Sequence, residues 1–308
     1  VGRRLEFAIG VLNGAIGDHL ERTGNGLSTS MSFVADDAPV ALADLPRPRE
    51  RVAVLLHGLM CTEEVFRFAS GEDYGTLLAR DFGLVPLYVR YNTGLPIADN
   101  GLAFARLLDA LVQAGGVEEI VPLGYSMGGL VVRSACHHAV ERGLGWVSKV
   151  RRAFYVGTPH RGAPLERAGR VLTRLLSRIP DPYVRLAADV AELRSAGIKD
   201  LGNADLRHDD RETREGFLAD PEHPVPLLAS IRHHLVAGSL TRAPWLTELF
   251  GDSVVPLSSG TDGHHAGPRA LPPANVRVMP GLSHMDIAHH PEVYAQLERW
   301  MRESEQAR

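Results

Sequence analysis

The chain has 308 residues, of which 44% are hydrophobic and 23% charged, and its formal net charge is −4. That length buries a sizeable core, and the composition is that of an ordinary soluble globular protein. Arginines interspersed with acids leave no footprint for nucleic acid, and no apolar run reaches the length of a membrane span. The most charged stretch, Arg207 to Glu215, is mixed in sign and reads as solvated surface.

The chain opens on Val1 rather than methionine, so a removed leader stays open, and neither compartment nor oligomeric state is read here. Leu5, Ile9, Leu12, Ile16 and Leu20 recur at spacings of three and four, which predicts an amphipathic helix packed on the body, with docking at a membrane surface the alternative. A turn-rich Thr23-Gly24-Asn25-Gly26 then precedes a strand near Met31 to Val34, and Pro46-Arg47-Pro48 marks a connector. Short apolar runs follow at Val52 to Leu56, Val85 to Val89, Ile120 to Leu123, Ala153 to Val156, Leu235 to Ala237 and Val276 to Val278, most of them separated by helical stretches. That alternation predicts an α/β architecture, a mostly parallel central sheet with helices on both faces. Pro122 sits awkwardly in it, having no N–H to give to a sheet ladder. From Gly162 to about Pro226 no strand pattern occurs, while Leu165 to Leu176 and Tyr183 to Leu193 carry helical spacing, so the interval reads as an inserted helical cap or lid. The division is thus residues 1–48 for the N-terminal helix and connector, 49–162 and 227–308 for the α/β core, and 163–226 for the cap. Of the two cysteines, Cys136 falls in a core periodicity and Cys61 in a loop near the site, with a disulfide between them left open.

The most informative stretch is Gly124-Tyr125-Ser126-Met127-Gly128, between the apolar run at 120–123 and the helical spacing of Leu130, Val131, Ala135 and Ala139. Small residues on both sides of one serine suit a sharp strand-to-helix turn that projects the hydroxyl, with the Met127 N–H placed to stabilise an oxyanion. A serine hydroxyl needs a histidine base oriented by a carboxylate. Among 14 histidines, His284 lies in the loop after the last strand, and Asp252 lies beyond the strand ending near Gly238. Asp262 and Asp286 are the rivals for the acid. His137-His138, His233-His234, His264-His265 and His289-His290 fall on helices, a strand or a glycine-rich loop instead. The second oxyanion N–H is assigned to Leu59 in Leu56-His57-Gly58-Leu59-Met60, with Met60 the alternative.

These motifs, with Gly157-Thr158-Pro159-His160-Arg161-Gly162-Ala163 and Gly251-Asp252-Ser253-Val254-Val255-Pro256, resemble those of α/β-hydrolase-fold lipases and esterases, in particular the bacterial lipase-like branch, and are similar to GPI-inositol-deacylase-like hydrolases. The resemblance spans about residues 50 to 303. It implies hydrolysis of a carboxylic ester through an acyl-enzyme, with thioesters, phospholipids and amides open to the same machinery and a noncatalytic binding protein as the rival class. The substrate expected is a small-molecule or lipid ester with a hydrophobic acyl group. Some family lipases hold calcium with an acid two positions after the histidine, where Asp286 stands, but no acid immediately precedes the strand at 235–237. With no H-E-x-x-H pattern either, the expectation is a site without metal or cofactor.

Overall fold

The apolar runs at the centre of the sheet become strands buried on both faces, whereas the run at 276–278 forms a partly exposed edge strand. The computed structural model describes residues 2–35, 38–45, 51–162, 195–203, 205–207, 225–240, 252, 255–261 and 271–306. Within them lie β1 (Ser32–Ala35), β2 (Ala38–Val40), β3 (Arg51–Leu56), β4 (Val85–Arg90), β5 (Glu119–Tyr125), β6 (Arg152–Val156), β7 (Arg232–Ser239) and β8 (Val276–Pro280), in one sheet ordered β2-β1-β4-β3-β5-β6-β7-β8. The strands β3 to β8 are mutually parallel, and β1 and β2 add an antiparallel edge.

Successive strand residues point to opposite faces. Val52, Val54 and Leu56 accordingly pack with Phe104 and Leu108 of α3 (Ile97–Gln113) and Leu130 and Val131 of α4 (Met127–Glu141). Ala53 and Leu55 pack on the other face with Leu77 and Leu78 of α2 (Tyr74–Phe82) and with Leu297 and Trp300 of α6 (Pro291–Gln306). The N-terminal helix α1 (Gly2–Arg22) lies on the body as its spacing predicts, and a third cluster joins its Val11, Ala15, Ile16 and Leu20 to Met60 and to Ile198 of α5 (Ala196–Asn203). No helix among the described residues is long and apolar enough to cross a membrane.

Pro122 is accommodated in β5 opposite Val54 of β3, and the pairing of β5 with β6 begins one residue later, at Leu123. The N-terminal ends of the strands are fastened by charge. Buried Glu119 accepts Arg51 Nε at 2.9 Å and Arg152 Nη2 at 3.1 Å, and Arg51 Nη2 reaches Glu305 of the last helix at 2.7 Å. A buried carboxylate requires such partners. β2, with Pro39 in its three residues, does not show in the sequence pattern; as an edge strand it leaves one side free of a ladder, where proline is tolerated. Cys61 and Cys136 are both free and buried, in clusters on opposite faces of the sheet, which closes the question of a disulfide between them. The cap interval falls largely outside the described residues, as do the helices expected at 165–176 and 183–193 and the connector at 46–48.

Three histidines near the sheet are held neutral by burial. His57 at the end of β3 is lowered to about 4 and His233 to about 4, while His234, stacked between Phe154 and Trp300, is lowered to about 3. Unfolding returns each to an ordinary value near 6.5, so below that pH the unfolded chain binds protons that the folded chain refuses. The expected result is a urea midpoint that is flat between about pH 7 and 8 and falls as pH drops from 6.5 towards 4, each such histidine contributing up to about 1.4 kcal/mol per pH unit. His234→Phe removes one of these sites and should make the decline shallower; an identical slope would contradict this account.

Candidate active site

At the carboxyl end of β5 the chain turns sharply into α4, and Ser126 occupies the turn at φ 52° and ψ −123°. Among the described non-glycine residues only Met60 and Ser126 have positive φ. The turn is held by the Ser126 N–H, which donates to Val156 O at 2.8 Å. Glycine is required on both sides because the backbone folds onto itself. A Cβ on Gly124 would lie 2.5 Å from Gly129 Cα, and one on Gly128 2.4 Å from Leu56 O. Neither neighbour is a flexible side-chain end that could move away.

His284 follows β8, and its N–H donates to Asp252 O at 2.9 Å. Its ring lies between the other two residues, with Nδ1 2.7 Å from Asp252 Oδ2 and Nε2 2.9 Å from Ser126 Oγ. The other Asp252 oxygen, Oδ1, accepts the Val255 N–H at 2.7 Å. Tyr125, the residue before the serine, donates its hydroxyl to His284 O at 2.9 Å, so the strand that presents Ser126 also holds the backbone of the histidine. Ser126, His284 and Asp252 are 6%, 4% and 1% exposed, a dry setting in which these charge-bearing hydrogen bonds are strong. In the tautomer that carries its proton on Nδ1, His284 donates to Asp252 Oδ2 and turns the Nε2 lone pair to the serine hydroxyl.

The loop after β3 passes directly over the serine, where a Cβ on Gly58 would fall 2.9 Å from Ser126 Cβ. His57 stacks on Tyr91 at 4.6 Å, and Tyr91 donates its hydroxyl to His57 O at 2.8 Å. The Met60 N–H is taken by Thr93 Oγ1 at 3.1 Å, whereas the N–H groups of Leu59 and Met127 engage no partner among the described residues. Of the two candidate donors in the loop, Met60 is engaged and Leu59 is open. The sequence pattern misses both Thr93 and Tyr125: Tyr125 stands at a variable position of the elbow motif, and nothing in local spacing links residue 93 to residue 60.

The rival acids and histidines are elsewhere. Asp286 is exposed and accepts the Ser283 hydroxyl at 2.6 Å and the Ser283 N–H at 3.2 Å. His138 packs in α4 against Ala98 O, His160 against Arg133, and His137 pairs with Glu141. Asp262, His264 and His265 lie outside the described residues. Among the described residues no three His, Cys, Asp or Glu side chains gather into a metal-holding group.

The strand order, the antiparallel edge and the serine turn after β5 make this an α/β-hydrolase fold. No protein-family model matches the chain, and no curated protein matches it by sequence. Solved structures do match by fold. The mature form of a lipase from Bacillus licheniformis is 18% identical with a TM-score of 0.52, over 86% of this chain and 95% of that one. The propeptide form of the same lipase gives 18% and 0.51, over 83% of this chain and 51% of that one. A putative aryl esterase from Burkholderia cenocepacia is 16% identical with a TM-score of 0.45, over 90% and 94%.

Proposed function

We propose that the protein is a serine hydrolase of carboxylic esters. One observation carries the reading: a single buried imidazole is hydrogen-bonded through Nε2 to the serine of the elbow and through Nδ1 to a carboxylate whose other oxygen is occupied by backbone. In this reading Ser126 Oγ attacks the ester carbonyl while His284 Nε2 takes its proton. The carbonyl oxygen becomes an oxyanion received by the N–H groups of Leu59 and Met127. His284 returns the proton to the leaving alcohol, which departs as the acyl-enzyme forms. Water then repeats the sequence: His284 takes its proton, the hydroxide adds to the acyl carbon, and the proton passes back to Ser126 Oγ as the acid leaves. Asp252 holds the ring and its tautomer throughout.

A hydrophobic acyl group is the substrate that the surroundings favour. Leu59 beside the oxyanion position and Met285 beside the base are half-buried, and both pack, as Phe7 and Leu12 of α1 do, against the same apolar cluster. The fold likeness to a lipase accords with this reading. The test is labelling by an alkyl fluorophosphonate followed by peptide mass mapping, with p-nitrophenyl esters of short to long acyl chains and matched thioester and anilide assayed alongside. Modification of Ser126 with highest kcat/KM on an ester is the expected outcome. No modification of folded protein would sink the serine mechanism, and faster thioester turnover would move the assignment to a thioesterase.

A further inference from the structure

The two peptide planes that flank Leu59 are pinned from different sides. Gly58 O accepts His57 Nδ1–H at 2.9 Å and the Cys61 N–H at 3.2 Å. In a trans peptide the Leu59 N–H points away from that oxygen, so fixing one fixes the other. The next plane ends in the Met60 N–H, held by Thr93 Oγ1. Met60 has φ 59°, a conformation that a side-chain-bearing residue keeps only when its surroundings over-determine it. α1 supplies one constraint, since its Gly14 lies so close that a Cβ there would be 2.2 Å from Met60 Cγ and 3.0 Å from Met60 N. Thr93 supplies the other from within the fold. It is 1% exposed and sits in a segment that is itself tied down: Tyr91 donates to His57 O at 2.8 Å, Asn92 Nδ2 to Gly17 O at 2.9 Å and Asn100 Nδ2 to Asn92 O at 2.9 Å.

We propose that Thr93 is a positioning residue of the oxyanion hole: by accepting the Met60 N–H it keeps Met60 left-handed and holds the Leu59 N–H where the carbonyl oxygen of the substrate arrives. It touches no reacting atom and acts through the backbone of the loop. The proposal rests on the ester-hydrolase reading and on Leu59 as a donor. It assigns to the segment after β4 a part in the chemistry that the motifs of β3, β5, β7 and β8 do not contain.

Thr93→Val keeps the shape of the side chain and removes the acceptor, whereas Thr93→Ser keeps the acceptor and removes a methyl group. A displaced donor weakens a contact that matters most in the transition state, so Thr93→Val should lower kcat about 10-fold or more with KM within about twofold. The rate of fluorophosphonate labelling should fall by a similar factor, because the phosphonyl oxygen occupies the same position, and Thr93→Ser should recover most of both rates. Thermal unfolding identifies which variants are folded; if Thr93→Val is not, Thr93→Ala removes the same acceptor without the apolar branch and is compared in its place. Unchanged kcat and labelling in a folded variant lacking the hydroxyl would overturn the proposal, as would Thr93→Ser being no better than Thr93→Val. A wild-type protein that neither hydrolyses esters nor takes the label would overturn the hydrolase reading itself, and that failure shows before any variant is made.

Discussion

Replacing Ser126 with alanine should lower ester hydrolysis by about 10⁵-fold or more in kcat, leaving only what the oxyanion donors and binding contribute over water. Three features make the expectation specific. The substitution removes one oxygen, whose side-chain partner is His284 Nε2 at 2.9 Å. Alanine at φ 52° carries the same backbone strain as serine, so the turn gains no new penalty. The Ser126 N–H still reaches Val156 O, so the anchor of the elbow survives. The variant should therefore melt within a few degrees of the wild type and still bind a carboxylic acid product, while losing turnover and phosphonate labelling together. Initial rates on p-nitrophenyl butyrate beside a thermal melt check this, and a folded variant with wild-type turnover would exclude Ser126 as the nucleophile.

Asp252→Asn should cost about 10⁴-fold in kcat with little change in fold, and the geometry shows how. Val255 N–H donates to Oδ1 at 2.7 Å, and this backbone donor decides which way the amide lies, because only the oxygen of asparagine can accept it. The amide NH₂ is then left facing His284 Nδ1, which must become an acceptor. The imidazole proton shifts to Nε2, where it points at Ser126 Oγ and removes the lone pair that would accept the hydroxyl proton. A neutral ring in the wrong tautomer is an inactive base, although every heavy atom stays in place. Rates at saturating ester with a circular dichroism control check this. A loss of less than tenfold would mean that another acid orients His284.

The meeting of Ser126, His284 and Asp252 was legible in the sequence because it depends on local constraints that leave residues behind. Gly124 and Gly128 are glycines because backbone lies within 2.5 Å of where their Cβ atoms would sit. The order Ser126, Asp252, His284 follows from parallel strands presenting successive loops at one edge of the sheet. The central strands showed as apolar runs because both of their faces are buried. What lacked a signal was contact between distant segments. β2 is too short and too exposed to imprint a pattern, and the choice between Leu59 and Met60 turned on Thr93, 33 positions away in sequence. The seating of α1 on the loop after β3 depends on Gly14 meeting Met60, which the helical spacing of the leucines and isoleucines does not encode. The boundaries proposed for the cap, 163–226, concern residues mostly outside those described.

The two cysteines lie in separate cores, one on each side of the sheet, and burial pushes both thiols up to about 12. At neutral pH both are protonated and shielded, and a protonated thiol is neither a nucleophile nor a ready target for oxidants. The described fold is thus held by packing and hydrogen bonding without a cross-link between them. Dithiothreitol or glutathione of either redox state should leave its melting temperature where it was, and serine-directed labelling can be run in reducing buffer without a competing sulfur nucleophile at either position.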